Sequence, residues 1–532
     1  MGCAGGRSRF ARDTLERIVI SMPDIIPTVY RNFQECTKKG FLTAQPQDHN
    51  GPGGEISRYV KTLALSQPRY KDFPDLREQP DANPVPYMTD DCPDMTDDCP
   101  GLLHPTFRDG DRESPCVAHC DAVRREADGW SLVSVEMAMT VAQKHKEKIA
   151  FQWMTACDAG AKLNRAVIVH IDRNYVRSQA VLDPDALFRE TDVTEDVIKI
   201  AAEMMPNLGV ARNVLAGGVT PQVDMNVHCR RDAGCEYLAT CLGDRYYDVI
   251  FLPRITDNGV TALREKGYNT IDQIPADFRL TPTQAQVRNI VSNGVANETL
   301  STDGNIAGIS GKGGLPAVLE GIRYPVGLLD FENLSEPVPP YPGFPPYAKI
   351  PFQFCLQRVS ATGAEPEEKS YLHREKTDPR QALVEALWKA VQGLETIVVY
   401  SSHERTLITG MANDGITGAD ALLEFFLPKE LDLMGVITDN VSCAAFRGSY
   451  SLKVVQPFLA PGAPYHDLDN QNGGDALAMY RKMMGMYREK TDEEVPPDAD
   501  RLACELIAYC RNDVEVMRLS LERLRTLPLL PA

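Results

Sequence analysis

The chain has 532 residues, 43% hydrophobic and 24% charged, a globular balance in a length that calls for two or three domains. Its formal net charge of −18 argues against binding nucleic acid through a generally basic surface. No run of eighteen apolar residues occurs, so neither a membrane-spanning helix nor a membrane partner is expected.

The first apolar stretch, Ile18 to Met22, is short and lacks a small-residue cleavage site, so it does not read as a secretory signal. A cytoplasmic location is expected. Met1-Gly-Cys is followed by Gly at position 6 rather than Ser or Thr, which argues against acylation. The fourteen cysteines then read as reduced thiols or metal ligands rather than a disulfide framework. Cys36 stands early, and Cys229, Cys235 and Cys241 follow far downstream at even spacing. Such thiolates suit zinc or an iron–sulfur cluster, and their spacing leaves both open. Residues 42–115 look loop-rich, and Met88-Thr-Asp-Asp-Cys-Pro93 recurs at once as Met95-Thr-Asp-Asp-Cys-Pro100, a duplication that reads as a solvated loop.

Val260 to Gly267 and Thr270 to Pro275 predict two short helices around a glycine turn, either a plain connector or a helix-hairpin-helix-like holder of nucleic-acid backbone. Residues 301–321 are glycine-rich and read as a linker. Ser310-Gly-Lys-Gly-Gly314 is not a phosphate-binding loop of the Walker type, because Lys312 is followed by Gly.

The C-terminal third carries four acids suited to two divalent cations. Val326-Gly-Leu-Leu-Asp-Phe-Glu332 reads as a buried strand whose alternate residues Asp330 and Glu332 share a face. Pro337 to Tyr347 predicts a turn. Glu404 follows the apolar run Thr396 to Tyr400. Arg501 to Arg518 has helical periodicity, placing Tyr509 one turn before Asp513, where a phenol could orient or activate an attacking water. Hard cations such as Mg²⁺ or Mn²⁺ require several carboxylates from separate segments, which Asp330, Glu332, Glu404 and Asp513 would supply. Arg447 and Lys453 are candidates for touching a nucleic-acid backbone, with solvated surface charges as the alternative.

These residues carry two resemblances. From about 322 to 528 the chain resembles the tyrosine-containing subgroup of the DnaQ-like exonucleases, through Leu329-Asp-Phe-Glu332, Tyr400-Ser-Ser-His-Glu404 and Tyr509-Cys-Arg-Asn-Asp513. That resemblance implies a ribonuclease-H-like fold, two Mg²⁺ or Mn²⁺ ions on the four acids, and removal of nucleotides from 3′ ends. Glu404 stands where the superfamily usually has Asp. Ile350-Pro-Phe-Gln353, Arg447 to Lys453 and Gln471-Asn-Gly-Gly474 add similarity to an uncharacterised bacterial family that fuses a RecB-like PD-(D/E)XK domain to such an exonuclease; His403 stands where that family usually has Phe.

From about 20 to 245, Asp121, Gly129 to Glu136, Ile149 to Gln152 and Ile168 to Val176 resemble the catalytic region of RecB-like nucleases. This resemblance implies that Cys36, Cys229, Cys235 and Cys241 clasp a [4Fe–4S] cluster. Where the family carries Glu-Val-Lys, however, this chain has Ser134-Val135-Glu136, and two further acids are replaced by His104 and Lys148. Only Asp121 survives, which implies a nuclease fold without its chemistry.

The expected fold is therefore α/β in four parts. Residues 1–245 form a degenerate RecB-like, restriction-endonuclease-type core, and 246–300 a small helical connector. Residues 301–321 form the linker, and 322–532 a ribonuclease-H-like mixed sheet flanked by helices. The expected function is a 3′–5′ exonuclease on single-stranded or frayed nucleic acid. The alternative is a non-catalytic nucleic-acid-binding scaffold.

Overall fold

Two five-stranded mixed sheets organise the chain, each with helices against it, and the architecture is mixed α/β. The computed structural model describes residues 23–45, 54–78, 87–88, 99–110, 114–178, 181–230, 235–243, 245–292, 309–311, 314–447, 449–463, 473–486 and 498–527. Most of the duplicated Met-Thr-Asp-Asp-Cys-Pro stretch and residues 301–308 of the expected linker lie outside these. No helix of the described residues is long and apolar enough to cross a membrane.

The N-terminal unit opens with helices α1 (Pro27–Glu35), α2 (Thr37–Ala44) and α3 (Gly54–Leu65). Its sheet follows the order β1 (Gly101–Leu103), β2 (Ala122–Glu126), β3 (Gly129–Glu136), β4 (Leu163–Ile171) and β5 (Phe188–Asp192). Only the β3–β4 pair is parallel, and helix α4 (Gln143–Asp158) makes the crossover between them. Both strands are nearly continuous runs of buried residues, as a parallel pair covered on both faces requires. One face packs on α1, α4 and α5 (Thr194–Ala216), through residues such as Leu132, Ile149, Phe151, Ile168 and Val197. The other packs on α3, through Val133, Val135, Val169, Ile56 and Val60.

The connector has its own core, from Met225 to Val291, built around Val249, Ile250, Phe251 and Leu252. Helix α6 (Asp257–Arg264) forms as the periodicity predicts, and Gly267 takes a φ of +85°, the left-handed turn that favours glycine. The second predicted helix is a single tight turn, Ile271–Gln273, and a further helix follows at Pro282–Ser292. Cys229 and Cys241 pack against this core.

The expected linker contributes structure instead. Residues 309–311 pair antiparallel with 441–443, and Leu315–Glu320 is a helix whose Leu315 and Leu319 are buried in the C-terminal core.

The second sheet has the order β8 (Glu367–Leu372), β7 (Lys349–Val359), β6 (Val326–Ser335), β9 (Thr396–Val399), β10 (Glu430–Asp432). The first three strands are antiparallel, and β9 and β10 run parallel to β6. Leu329 and Phe331 of β6 pack with α7 (Arg380–Val391) and α8 (His403–Asn413). Leu328, of opposite parity, packs with the terminal helix α10 (Ala499–Leu524), and α9 (Leu452–Leu459) lies beside that helix.

The proline-rich segment 337–347 forms the β6–β7 turn, as expected, and also docks on the N-terminal unit. Arg177 donates to the carbonyls of Pro339 (2.9 Å) and Pro340 (2.6 Å), the Tyr347 hydroxyl donates to the Met137 carbonyl (2.6 Å), and Val338 is buried beside Val60.

Strand β6 sits unusually close to its neighbours at Gly327, where a Cβ would fall 2.4 Å from Cδ1 of the fully buried Leu394. Gly327→Val should therefore destabilise the protein by about 1–3 kcal/mol, the usual cost of overpacking, in equilibrium denaturation. A variant as stable as the parent would show that Leu394 can yield.

Candidate metal centre

The alternation of β6 builds half of the centre. Leu328, Asp330 and Glu332 share the parity that faces α10, while Leu329 and Phe331 face the opposite helices. On α10, Cys510, Asp513 and Val514 turn toward the strand. Carboxylate oxygens of Asp330, Glu332 and Asp513 all lie within 4.8 Å of one another, an arrangement that could hold a metal ion. Helix and sheet are pinned by Gln353, which pairs with Glu332 across the β6–β7 ladder and donates to the Leu506 carbonyl at 2.8 Å. The ladder shifts register immediately after Glu332.

Glu404 enters from the other side, at the second residue of α8. It is 3% exposed, and its carboxylate accepts from its own backbone N–H and from that of Phe331. Burial pushes it up to about 7, with Glu430 and Asp432 adding repulsion. Burial and then the Glu404 charge push Asp330 up to about 8. Glu332 is raised well above the usual range by burial and by Asp330, Asp513 and Glu404, and Asp513 by burial and Asp330. Lys453, at the start of α9, acts in the opposite sense on both Glu332 and Asp513. Glu404 Oε2 and Asp513 Oδ1 are buried without a hydrogen-bond partner. Four crowded carboxylates with orphaned oxygens fit hard divalent cations, whose charge and coordination would satisfy them.

Tyr509 lies one turn before Asp513, as the spacing requires, with its ring buried among Leu334, Ile350, Phe352 and Leu506. Lys453 is beside the acids. Arg447 is elsewhere: its guanidinium stacks 3.9 Å over Tyr246 and 5.0 Å from the Phe251 centroid, both connector residues. Cys510 was not anticipated. Its thiol donates to Asp330 Oδ2 at 3.4 Å, and its position three residues before Asp513 was the available signal.

Cys36, Cys235 and Cys241 all lie close enough to Cys229 to act on its thiol. Burial raises the Cys229 thiol, and the neighbouring thiols of Cys235, Cys36 and Cys241 raise it further. Cys36 sits between α1 and α2, and the Tyr237 hydroxyl reaches Thr43 of α2 at 3.3 Å, tying the two segments together. No three of these sulfurs lie within 4.8 Å of one another among the described residues.

The N-terminal acids are handled differently. Asp121 accepts from the Val135 N–H at 2.7 Å and pairs with Lys61 at 2.6 Å. Burial works to raise its carboxyl, yet Lys148 and Lys61 outweigh this and hold it below the usual range. Glu136 pairs with Lys148 at 2.7 Å and accepts from Ser134 at 3.2 Å. His104 lies 3.9 Å from Asp75. A cleft of about 660 Å³ opens here, lined in part by Lys61, Glu136 and Lys148.

The raised carboxyls have a thermodynamic consequence. A folded-state pKa above the unfolded value means that stability is lost as pH rises through the interval between them, here from the ordinary carboxylate range to about 8 for Asp330. Metal-free protein should melt lower at pH 8 than at pH 6, and Mn²⁺ should raise the melting temperature more at pH 8. Asp330→Asn should melt higher than the parent in EDTA at pH 8 and lose most of the Mn²⁺ shift. Equal Mn²⁺ shifts at both pH values would show that these carboxylates are not the ligands.

No curated protein and no solved structure gives a significant match to this chain. Residues 327–451, from the strand of Asp330 and Glu332 through Glu404 and Arg447, match the family described as a domain of unknown function, DUF2779.

Proposed function

We infer that residues 322–532 form a ribonuclease-H-like, DnaQ-type domain, and that the protein is a metal-dependent 3′–5′ exonuclease on single-stranded or frayed nucleic acid. The observation that carries this reading is the convergence of Asp330, Glu332 and Asp513 within 4.8 Å, with Glu404 close enough to repel Asp330. The sheet order, with antiparallel β8-β7-β6 extended by parallel β9 and β10, also supports it.

Asp330, Glu332, Glu404 and Asp513 would hold two Mg²⁺ or Mn²⁺ ions. When bound, such ions acidify a water and offset charge on the scissile phosphate. The protein's own groups then do the rest. The Cys510 thiol orients the Asp330 carboxylate, Lys453 offers an ammonium to the phosphate, and the Tyr509 hydroxyl orients the attacking water. Water adds to phosphorus, the 3′-oxygen of the penultimate nucleotide leaves, and one nucleoside 5′-phosphate is released with net transfer of one water. Asp330→Ala or Asp513→Ala should lower degradation of a 5′-labelled oligonucleotide by at least about a hundredfold while leaving circular dichroism unchanged. Wild-type rates in either variant would remove the assignment.

The N-terminal unit is read as a RecB-like fold that does not cut. Lys61 and Lys148 already neutralise Asp121 and Glu136, so a divalent cation would have to displace both ammoniums. That self-neutralised site also favours the second reading, a nucleic-acid-binding scaffold. A closed circular single strand, offered with Mg²⁺ or Mn²⁺ to full-length Asp330→Ala, should stay circular. Linearisation that depends on Asp121 would overturn this part of the reading.

Cys36, Cys229, Cys235 and Cys241 would hold a [4Fe–4S] cluster, with zinc as the alternative metal. Free thiols of this kind suit a reducing, cytoplasmic setting. Protein purified without oxygen should be brown and contain iron and sulfide, and Cys36→Ala should lose both. Colourless protein containing one zinc per chain would correct the metal and keep the ligands.

A further inference from the structure

Arg230, Arg254 and Arg447 surround one open cleft of about 490 Å³ between the connector and the C-terminal unit, together with Thr256, Asp257 and Ser449. Among the described residues, none of the three guanidiniums is in a salt bridge. Arg230 is half-buried and donates only to the carbonyls of Leu252 and Ile255, both at 3.2 Å. Burial holds it below the usual arginine range, with Asp257 working against that shift. Arg447 lies with its flat face on Tyr246, and its Nε is buried without a partner. A guanidinium stacked by its face keeps its edge for donating hydrogen bonds. Arg254 is exposed at the rim, at a left-handed φ of +53°.

Asp257 is the one carboxylate lining the cleft. It accepts from the Val227 N–H at 3.1 Å and lies 3.6 Å from His228. The same cleft meets the start of α6, where the Thr256 hydroxyl accepts from Gly259. In a chain of net charge −18, three arginines around one space without carboxylate partners form a cationic site that calls for an anion.

The cleft is tied to the acid centre by sequence. Ser449 lines the cleft, and Lys453, four residues on, sits beside Glu332 and Asp513. Four residues reach at most about 14 Å. At about 3.4 Å per nucleotide, that backbone span matches roughly four nucleotides of a stacked strand, and the Lys453 side chain adds to it.

We propose that this cleft binds a backbone phosphate of the nucleic-acid strand whose 3′ end lies at the four acids, a few nucleotides from the cut. The proposal rests on the exonuclease reading for the identity of the strand. The arginines make backbone contacts, so the site fixes the strand's path without reading bases.

The test is binding of a fluorescein-labelled twenty-nucleotide single strand to the full chain in EDTA, followed by anisotropy across a salt series. Arg254→Glu should raise Kd about tenfold and lower the slope of log K against log salt by about one. Arg254→Lys, which keeps the charge, should retain most of the affinity, separating charge loss from misfolding. An unchanged Kd and slope in Arg254→Glu, or no strand binding by the parent, overturns the proposal. Inorganic phosphate competing with the strand at equal concentration would mark a free-anion pocket and also overturns it. Strand binding that is lost in Arg254→Glu, in a parent that never cleaves with Mg²⁺ or Mn²⁺, supports the cleft and removes only the exonuclease reading.

Discussion

Repulsion among carboxylates at one place is the constraint around which the C-terminal unit is arranged. Asp330, Glu332, Glu404 and Asp513 come from a strand and two helices, and each is pushed upward by burial and by neighbouring acids. Such a cluster is expensive without counter-charge, and the protein provides only part of it. Lys453 opposes the shift at two of the acids, backbone N–H groups reach Glu404, and Cys510 donates to Asp330. The rest of the sheet supplies the rigidity that keeps the acids together. Leu329 and Phe331 lock β6 against α7 and α8, and Gln353 locks β7 to α10. The site is therefore stabilised by packing that its own electrostatics opposes, the usual arrangement where function and stability conflict.

The N-terminal unit meets a similar problem with the opposite solution. Asp121 and Glu136 each carry a lysine within about 2.7 Å, so their charge is answered inside the protein. Two carboxylate sites thus differ in who supplies the cation. One is complete as folded, and the other retains unpartnered oxygens at Glu404 and Asp513. This contrast, more than the residue types alone, separates a site that leaves room for a cation from one that does not.

Much of the centre was legible because it rests on local periodicity. A two-residue repeat places Asp330 with Glu332, and a four-residue step places Tyr509 over Asp513. The first survives in the fold because burial on the two faces of β6 leaves no other register, and the second because one helix, α10, runs through both residues. What escaped the sequence is non-local. Arg447 was grouped with Lys453 by proximity in the chain, yet its cation–π partners Tyr246 and Phe251 lie about two hundred residues upstream. The glycine-rich segment read as linker because nothing within it announces its partner strand at 441–443. The role of Lys148 was likewise hidden, since a lysine on a helix acquires meaning only opposite Glu136.

These non-local contacts connect the parts in series. The thiols of Cys229, Cys235 and Cys241 reach back to Cys36 beside α2, and two of them rest on the connector core. That core presents Tyr246 and Phe251 to Arg447, and the chain after Arg447 runs directly to Lys453 at the acids. A second link runs through segment 337–347, which begins two residues after β6 ends at Ser335 and docks on Arg177 and Met137 of the first unit. Met137 directly follows Glu136, the acid that Lys148 neutralises. The C-terminal centre is thus linked, past the end of β6 and ahead of α9, to units that contribute none of its carboxylates. Disruption of the connector core would disturb the cationic cleft before the acids, because Arg447 is held by connector rings while Asp330 and Asp513 are held by their own sheet and helix.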